Sequence, residues 1–184
     1  MMDDPNSLHL RLLGATAQGD QAAFAQLYNE LGGRLYAISL QLLRRRDLAE
    51  DAVQEAFVRI WHNASAYQQE KGLVLTWMIS IVRYRALDML RANKRRQETS
   101  RDDAEYDEPV DERGPDAELF EQRDRVRIDK CMDHLDVPQR DAIQLAYFKG
   151  FTHQEVCSHL DSPLGSVKSW IRRGLERLKR CLES

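Results

Sequence analysis

Basic side chains near the carboxyl end of the chain have the spacing of a helix that could bind nucleic acid. Between positions 162 and 180, apolar residues recur at steps of three and four, which predicts an amphipathic helix. The predicted buried stripe comprises Leu164, Val167, Ile171, Leu175 and Leu178. The rest of the surface carries Lys168, Arg172, Arg173, Arg177, Lys179 and Arg180. Such a face can contact phosphates, and its amino-terminal half can reach base edges in the major groove.

The residues before this helix predict a second, shorter one. Ser162 suits the N-cap of the basic helix and Pro163 its first position. Upstream, Thr152 and Glu155 have the spacing of a capping box, and the segment 161–163 is typical of a tight turn. Two short helices joined by such a turn, the second one basic, indicate a helix-turn-helix. The alternative is an ordinary helical hairpin whose charges are only solvated.

The charge of the chain is distributed unevenly. Its 184 residues hold 27 Lys and Arg against 30 Asp and Glu, a net charge of −3 that is unusual for a DNA-binding protein. Residues 97–117 are rich in acids, Pro and Gly and poor in apolar residues, which predicts a flexible acidic linker between domains at 1–96 and 118–184. Without a signal peptide or a membrane-length apolar run, we expect a cytoplasmic protein.

Helical patterns fill the first domain, with no alternation typical of strands. Asp47 and Glu50 have the spacing of a capping box, and Thr76 can cap a later helix that ends in basic residues. Between them lies a polar loop, 63–73, whose one aromatic residue is Tyr67. Trp61 and Trp77 lie on apolar stripes and are expected in the core. The polar face of the helix after Asp47 comprises Asp51, Gln54, Glu55 and Arg59. The fold class is therefore all-α.

Neither a metal site nor an enzyme is indicated. The chain has an odd number of cysteines, Cys131, Cys157 and Cys181, and no two of them form a CxxC pair. Free or buried thiols are therefore expected. His153 and Cys157 share a predicted helical face, but His159 lies on another side and no further ligands converge. Motifs for nucleotide binding, zinc hydrolysis and serine hydrolysis are missing. We expect no cofactor, no metal and no catalytic residue.

Three motifs together resemble bacterial sigma factors of the extracytoplasmic-function (ECF, or group 4) type. They are DAVQEAF at 51–57, TWM at 76–78 with DMLR at 88–91, and PLGSVKS at 163–169. The resemblance covers roughly residues 10–96 and 118–182. It implies two small helical domains, a σ2-like bundle and a σ4-like four-helix domain with the helix-turn-helix, joined by the acidic linker. An activator with a helix-turn-helix that does not bind core polymerase is the alternative.

The resemblance also implies roles for particular residues. It implies that Asp51, Gln54, Glu55 and Arg59 bind the β′ subunit of polymerase. Contacts with the −10 element fall on Tyr67, Arg83, Tyr84, Arg91, Lys94, Arg95 and Arg96, and the loop at 64–73 captures a flipped base. Contacts with the −35 element fall on Lys168, Ser169, Trp170, Arg172, Arg173 and Arg177. The implied partners are core RNA polymerase (β′ coiled coil and β flap), promoter DNA and an anti-sigma factor. Where family members often carry Asn, this chain has Tyr84.

Overall fold

Residues 5–99 and 126–184 are described by the computed structural model. The chain divides into two units, Met1–Pro109 and Val110–Ser184. Within the described ranges the structure contains helices and no strand, which confirms the all-α prediction. Most of the predicted acidic linker, residues 100–117, lies outside these ranges. No helix in them is long and apolar enough to cross a membrane.

The part of the first unit that the structure describes contains four α-helices. They are α1 (Pro5–Ala17), α2 (Gln21–Leu43), α3 (Arg46–Asn63) and α4 (Val74–Thr99). Leucines at one-turn spacing on α2, represented by Leu27, Leu31 and Leu35, are buried against Ile60 of α3 and Met78 of α4. This stripe explains why α2 remains one helix through its paired glycines, because burial along its length outweighs their low helix propensity.

The amino-terminal ends of α3 and α4 differ from the sequence prediction. Asp47 does not cap α3, because Arg45 occupies the N-cap and its Nη2 lies 2.6 Å from Asp47 Oδ2. Hydrogen bonds from Arg45 lower the pKa of Asp47 below its ordinary value. Thr76 does not cap α4, which already begins at Val74. Instead Asn6 of α1 accepts a 3.4 Å hydrogen bond from the Val74 N–H, a cap that comes from a remote helix.

The second unit also contains four helices in its described part. A helix over 126–133, α5, is followed by α6 (Val137–Ile143), which continues as one wide turn (Gln144–Phe148). Then come α7 (His153–Leu160) and α8 (Leu164–Glu183). The capping box of α7 is confirmed: Glu155 N–H donates to Thr152 Oγ1 and Thr152 N–H donates to Glu155 Oε2, at 3.1 and 2.7 Å.

The start of α8 corrects two predictions. Pro163 rather than Ser162 is the N-cap, because the Ser162 hydroxyl donates to the carbonyl of Leu160 at 2.9 Å. Leu164 is 38% exposed and is not part of the buried stripe, whereas Val167, Ile171 and Leu178 are buried as expected. The stripe therefore begins one turn later than the sequence indicated.

A disulfide joins α5 to the end of α8. Cys131 and Cys181 lie 50 residues apart in sequence but have Cα atoms 5.8 Å apart, and their sulfurs are bonded. The expectation of free thiols at these two positions is therefore wrong, because packing of the two helices brings together cysteines with no sequence proximity. Cys157 of α7 is a free, buried thiol as expected. Met132, Leu135, Ile143 and Leu178 surround the disulfide and form an apolar cluster with it.

Candidate nucleic-acid and protein interfaces

The predicted polar face of α3 is exposed as one surface. Alanines and larger apolar residues at the intervening positions are buried, which turns the opposite side of the helix outward. Asp51, Gln54, Glu55 and Arg59 are all exposed. Val58 lies on the same side and is 57% exposed, a large apolar residue that the sequence analysis did not include. An exposed valine among polar residues is suited to contact another protein.

The polar faces of α3 and α4 meet along one seam. Glu55 of α3 accepts a 3.0 Å hydrogen bond from Nη2 of Arg85 on α4, and its other carboxylate oxygen pairs with Nε of Arg85. One turn further along α3, the Arg59 guanidinium carbon lies 6.0 Å from the ring centre of Tyr84, within cation–π range. The Tyr84 side chain is otherwise 63% exposed. Residues predicted for polymerase contact thus touch the helix predicted for the −10 element.

The loop between α3 and α4 is closed on itself. Two single turns of 3₁₀ helix, Ala64–Ala66 and Gln69–Lys71, make up most of it. Tyr67 donates a 2.7 Å hydrogen bond to the Gly72 carbonyl, and its ring packs edge-on against Trp77, 5.5 Å between centres. Burial and the nearby charge of Glu70 raise the pKa of Tyr67. Tyr67 therefore shapes the loop, with its hydroxyl already engaged and its ring against the core.

The carboxyl half of α4 is a basic surface. Arg91, Lys94, Arg95 and Arg96 are all exposed there, whereas Arg83 is half-buried nearer the seam. The nitrogen Nε of Arg95 donates to the Arg91 carbonyl at 3.5 Å. Charged groups that crowd one end of an exposed helix favour contact with phosphates over base edges.

The predicted basic face of α8 separates into exposed and half-buried residues. Lys168, Arg172 and Arg173 are exposed, and Arg172 lies 3.8 Å from Glu176 one turn later. Ser169 is half-buried, as is Trp170, whose ring packs against the core formed by α6, α7 and α8. Trp170 is therefore in a position to fix the helix, while the three cations face outward.

Arg177, also predicted for DNA contact, is turned towards α6. Its Nη1 lies 3.0 Å from Asp136 Oδ2 and donates to Gln139 Oε1 at 3.3 Å. The close approach of the two helices depends on Gly174, because a Cβ at this position would lie only 2.6 Å from Ile143 Cδ1. The contacts of Arg177 thus hold α8 against α6 along a tight helix crossing.

The His and Cys residues weighed as metal ligands do not converge. His153 and His159 are exposed and Cys157 is buried, and the His159 ring packs edge-on against Phe151 at 5.7 Å. In the ranges 5–99 and 126–184, no three His, Cys, Asp or Glu side chains form a group that could hold a metal ion.

Trp61 and Trp77 are both half-buried, with Trp61 packed edge-on against Phe24.

Comparison with known proteins identifies both units. Residues 27–96 match the Sigma-70 region 2 model, and residues 125–178 match the Sigma-70, region 4 model. The chain is 34% identical over 176 residues to the ECF RNA polymerase sigma factor SigK of Mycolicibacterium vanbaalenii, covering 93% of this chain and 87% of that protein. It is 33% identical over 173 residues to the SigK of Mycobacterium tuberculosis (strain CDC 1551 / Oshkosh), covering 94% and 92%.

A solved structure is also similar. Rhodobacter sphaeroides SigE, in complex with the anti-sigma ChrR, is 25% identical to the chain with a TM-score of 0.46, covering 96% of this chain and 99% of that one. The two family-model matches include every residue predicted for the three interfaces. They do not include α1 or the first turn and a half of α2.

Proposed function

Because this chain belongs to the family of ECF RNA polymerase sigma factors, we propose that it binds core RNA polymerase and directs promoter-specific transcription initiation. The observation that carries the proposal is the pairing of two surfaces in the first unit. An exposed polar face on α3 lies beside an α4 helix whose far end is basic. A protein contact next to a phosphate-binding surface is what a factor needs to bring polymerase to DNA.

Within this function, the exposed face of α3 contacts the β′ coiled coil through Asp51, Gln54, Glu55 and Arg59. Arg91, Lys94, Arg95 and Arg96 contact phosphates of the −10 region, which gives an affinity that falls with salt. The closed loop at 64–73 receives an unstacked base, with Tyr67 as its scaffold, and the exposed ring of Tyr84 can stack on such a base. Trapping an unstacked base offsets the cost of opening the duplex.

The second unit supplies recognition of the −35 element. Lys168, Arg172 and Arg173 are exposed near the start of α8, where a recognition helix reaches base edges in the major groove. Trp170 supports this end of the helix through its packing on the core, the half-buried Ser169 lies beside Lys168 on the same segment, and Arg177 holds α8 in place against α6. The same unit docks on the β flap of polymerase. An anti-sigma protein, as is common in this family, keeps the factor inactive.

Co-purification with core polymerase in the absence of DNA tests the proposal. The wild-type chain should bind core, and Asp51→Ala with Gln54→Ala should weaken binding at least fivefold. Glu30→Ala, an exposed acid on α2, is the matched control and should bind like wild type. Transcription from a genomic promoter library by the resulting holoenzyme then identifies the promoters. A chain that binds promoter DNA alone but never binds core would be a helix-turn-helix activator and would contradict the proposal.

A further inference from the structure

We propose that Arg44, at the turn between α2 and α3, contacts a backbone phosphate of promoter DNA beside the −10 element. The inference rests on the proposed function, in which the basic carboxyl half of α4 contacts phosphates of that region. It adds a second element of the first unit to the DNA surface. The sequence holds a run of three arginines at 44–46, which none of the predicted interfaces includes.

The turn lies at the end of the helical bundle from which the basic half of α4 emerges. Leu27 of α2 packs in one cluster with Met78 of α4, and Leu42 packs in another cluster with Ala86. The two helices therefore run in the same direction. Because Leu90 also packs on the second cluster, the exposed basic segment that follows it begins beside the turn between α2 and α3.

The cations at this end of the bundle are spaced to meet phosphates of one duplex. Arg44 is exposed one residue after the end of α2. On α4, Arg91 and Lys94 are exposed within four residues of Leu90, a rise of about 6 Å along the helix. Phosphates recur about every 3.4 Å along one DNA strand, so cations at such separations can each contact one.

The neighbouring arginine is occupied within the turn, whereas Arg44 is not. Arg45 donates from Nε to Asp47 Oδ1 at 3.1 Å and from Nη2 to Asp47 Oδ2 at 2.6 Å. This two-oxygen pair holds the turn and offsets both charges. Arg44 has no ion-pair partner in the described ranges 5–99 and 126–184. Its charge is therefore available to an anion from outside the chain.

The backbone conformation of Arg44 makes its side chain informative. Its φ is +58° and its ψ is 13°, the left-handed conformation in which helices commonly end with glycine. In this conformation its N–H donates to the Leu40 carbonyl at 2.9 Å. A side chain strains such a backbone, whereas glycine does not. The end of α2 would thus favour glycine at this position, and a contact made by the side chain explains why arginine is there instead.

Variants at position 44 separate the charge from the backbone strain. Arg44→Gly removes both, Arg44→Asn removes the charge and tolerates the left-handed conformation, and Arg44→Lys keeps both. Arg34→Ala, which removes an exposed cation about 15 Å earlier along α2, is the matched control. Fluorescence anisotropy over a salt series measures the affinity of each holoenzyme for the promoter that the wild-type holoenzyme transcribes most strongly. Thermal unfolding of the free chain and titration with core polymerase accompany it.

We expect Arg44→Gly and Arg44→Asn to weaken promoter binding about three- to tenfold at moderate salt and to lower the salt slope by up to about 0.9. Arg44→Lys and Arg34→Ala should bind the promoter within twofold of wild type. Arg44→Gly should unfold at a temperature no lower than wild type, which excludes a folding defect as the cause. Core affinity should stay within twofold for every variant.

Equal promoter affinity of wild type and Arg44→Gly would overturn the proposal. A loss of core affinity in Arg44→Gly would also overturn it, because Arg44 would then contact polymerase and not DNA. A weaker promoter affinity with an unchanged salt slope would do the same, since the lost contact would not be to a phosphate. Failure of the wild-type chain to bind core would instead contradict the proposed function, so the two failures are distinguishable.

Discussion

The hydroxyl of Tyr67 donates a 2.7 Å hydrogen bond to the carbonyl of Gly72, and so closes the loop between α3 and α4. The backbone of Gly72 has φ +139° and ψ −180°, a conformation that is essentially restricted to glycine. The ring of Tyr67 packs on Trp77 of α4. The Tyr67 side chain and the Gly72 backbone therefore constrain the same loop, one from its middle and the other from its carboxyl end.

Tyr67→Phe removes the closure while keeping the ring on Trp77. We expect a loss of about 0.5–1.5 kcal/mol in local stability, the usual net value of one hydrogen bond, and a severalfold decrease in −10 opening. Core binding should not change. Tyr28→Phe, which removes a hydroxyl from α2 in the same unit, is the control. Permanganate reactivity compares the variants, and equal opening by both would show that the closure is unimportant.

The pH dependence of the closure follows from the raised pKa of Tyr67, which burial and the charge of Glu70 produce. The hydrogen bond needs the protonated phenol. Its contribution is therefore complete below the ordinary tyrosine pKa and is lost as pH rises through the raised value. Tyrosinate absorbance should show one late-ionising residue in the wild type that Tyr67→Phe lacks. Identical titrations would contradict the assignment.

Gly72→Ala should destabilise the loop through the backbone alone. No heavy atom beyond Gly72 and its two chain neighbours lies within 4 Å of the position a Cβ would occupy, so contact with other residues adds nothing. The strained conformation should cost about 1–3 kcal/mol. Gly33→Ala is the matched control, because it lies within α2 with equally open space and should stabilise by about 0.5–1 kcal/mol. Denaturant unfolding measures both. A neutral Gly72→Ala would mean that the loop has another conformation in solution.

Features set by neighbouring residues were predictable from the sequence. The Thr152–Glu155 capping box is confirmed, because its two hydrogen bonds join residues three apart. The amphipathic stripe of α8 is confirmed from Val167 onward for the same reason. Sequence rules were wrong where one side chain has two possible local partners. The Ser162 hydroxyl can cap α8 or donate to a carbonyl at the end of α7, and it does the latter.

Features that depend on distant packing were missed. Arg85 and Glu55 lie 30 residues apart, and the local sequence around each predicts only a charged residue on a solvated helix face. Cys131 and Cys181 have no spacing that marks them as partners until α5 lies beside α8. Arg177 belongs by sequence to the basic face, yet Asp136 and Gln139 turn it towards α6. Only the fold decides between these roles.

Reduction of the Cys131–Cys181 bond should destabilise the second unit. The bond spans 50 residues, for which the loop-entropy model gives at most about 4 kcal/mol, and measured values commonly fall between about 2 and 4. Unfolding of the chain with and without dithiothreitol measures the difference. A variant with Cys131→Ala and Cys181→Ala is the control and should not respond to the reductant. An unchanged wild-type curve would show that the thiols are unpaired in solution.

Arg173 and Arg177 should differ in the salt dependence of promoter binding. Each phosphate contact contributes about 0.9 to the slope of log affinity against log salt. Arg173 is exposed on the predicted DNA face, where its charge lies close to the phosphates that flank the base edges, so Arg173→Met in the holoenzyme should lower the slope by up to about 1 on the strongest promoter. Arg177 is paired with Asp136, so Arg177→Met should change the slope by less than half as much.

The stability of the two variants should show the opposite order. The ion pair between Arg177 and Asp136 is largely exposed, with side chains 45% and 63% accessible, so its loss should cost no more than about 1 kcal/mol. The bond to Gln139 lies deeper, at the crossing that Gly174 permits, and its loss adds to that cost. Arg173→Met, with no ion-pair partner among the described residues, should leave unfolding unchanged. Equal salt slopes for both variants would show that Arg177 leaves α6 to contact phosphate when DNA is bound.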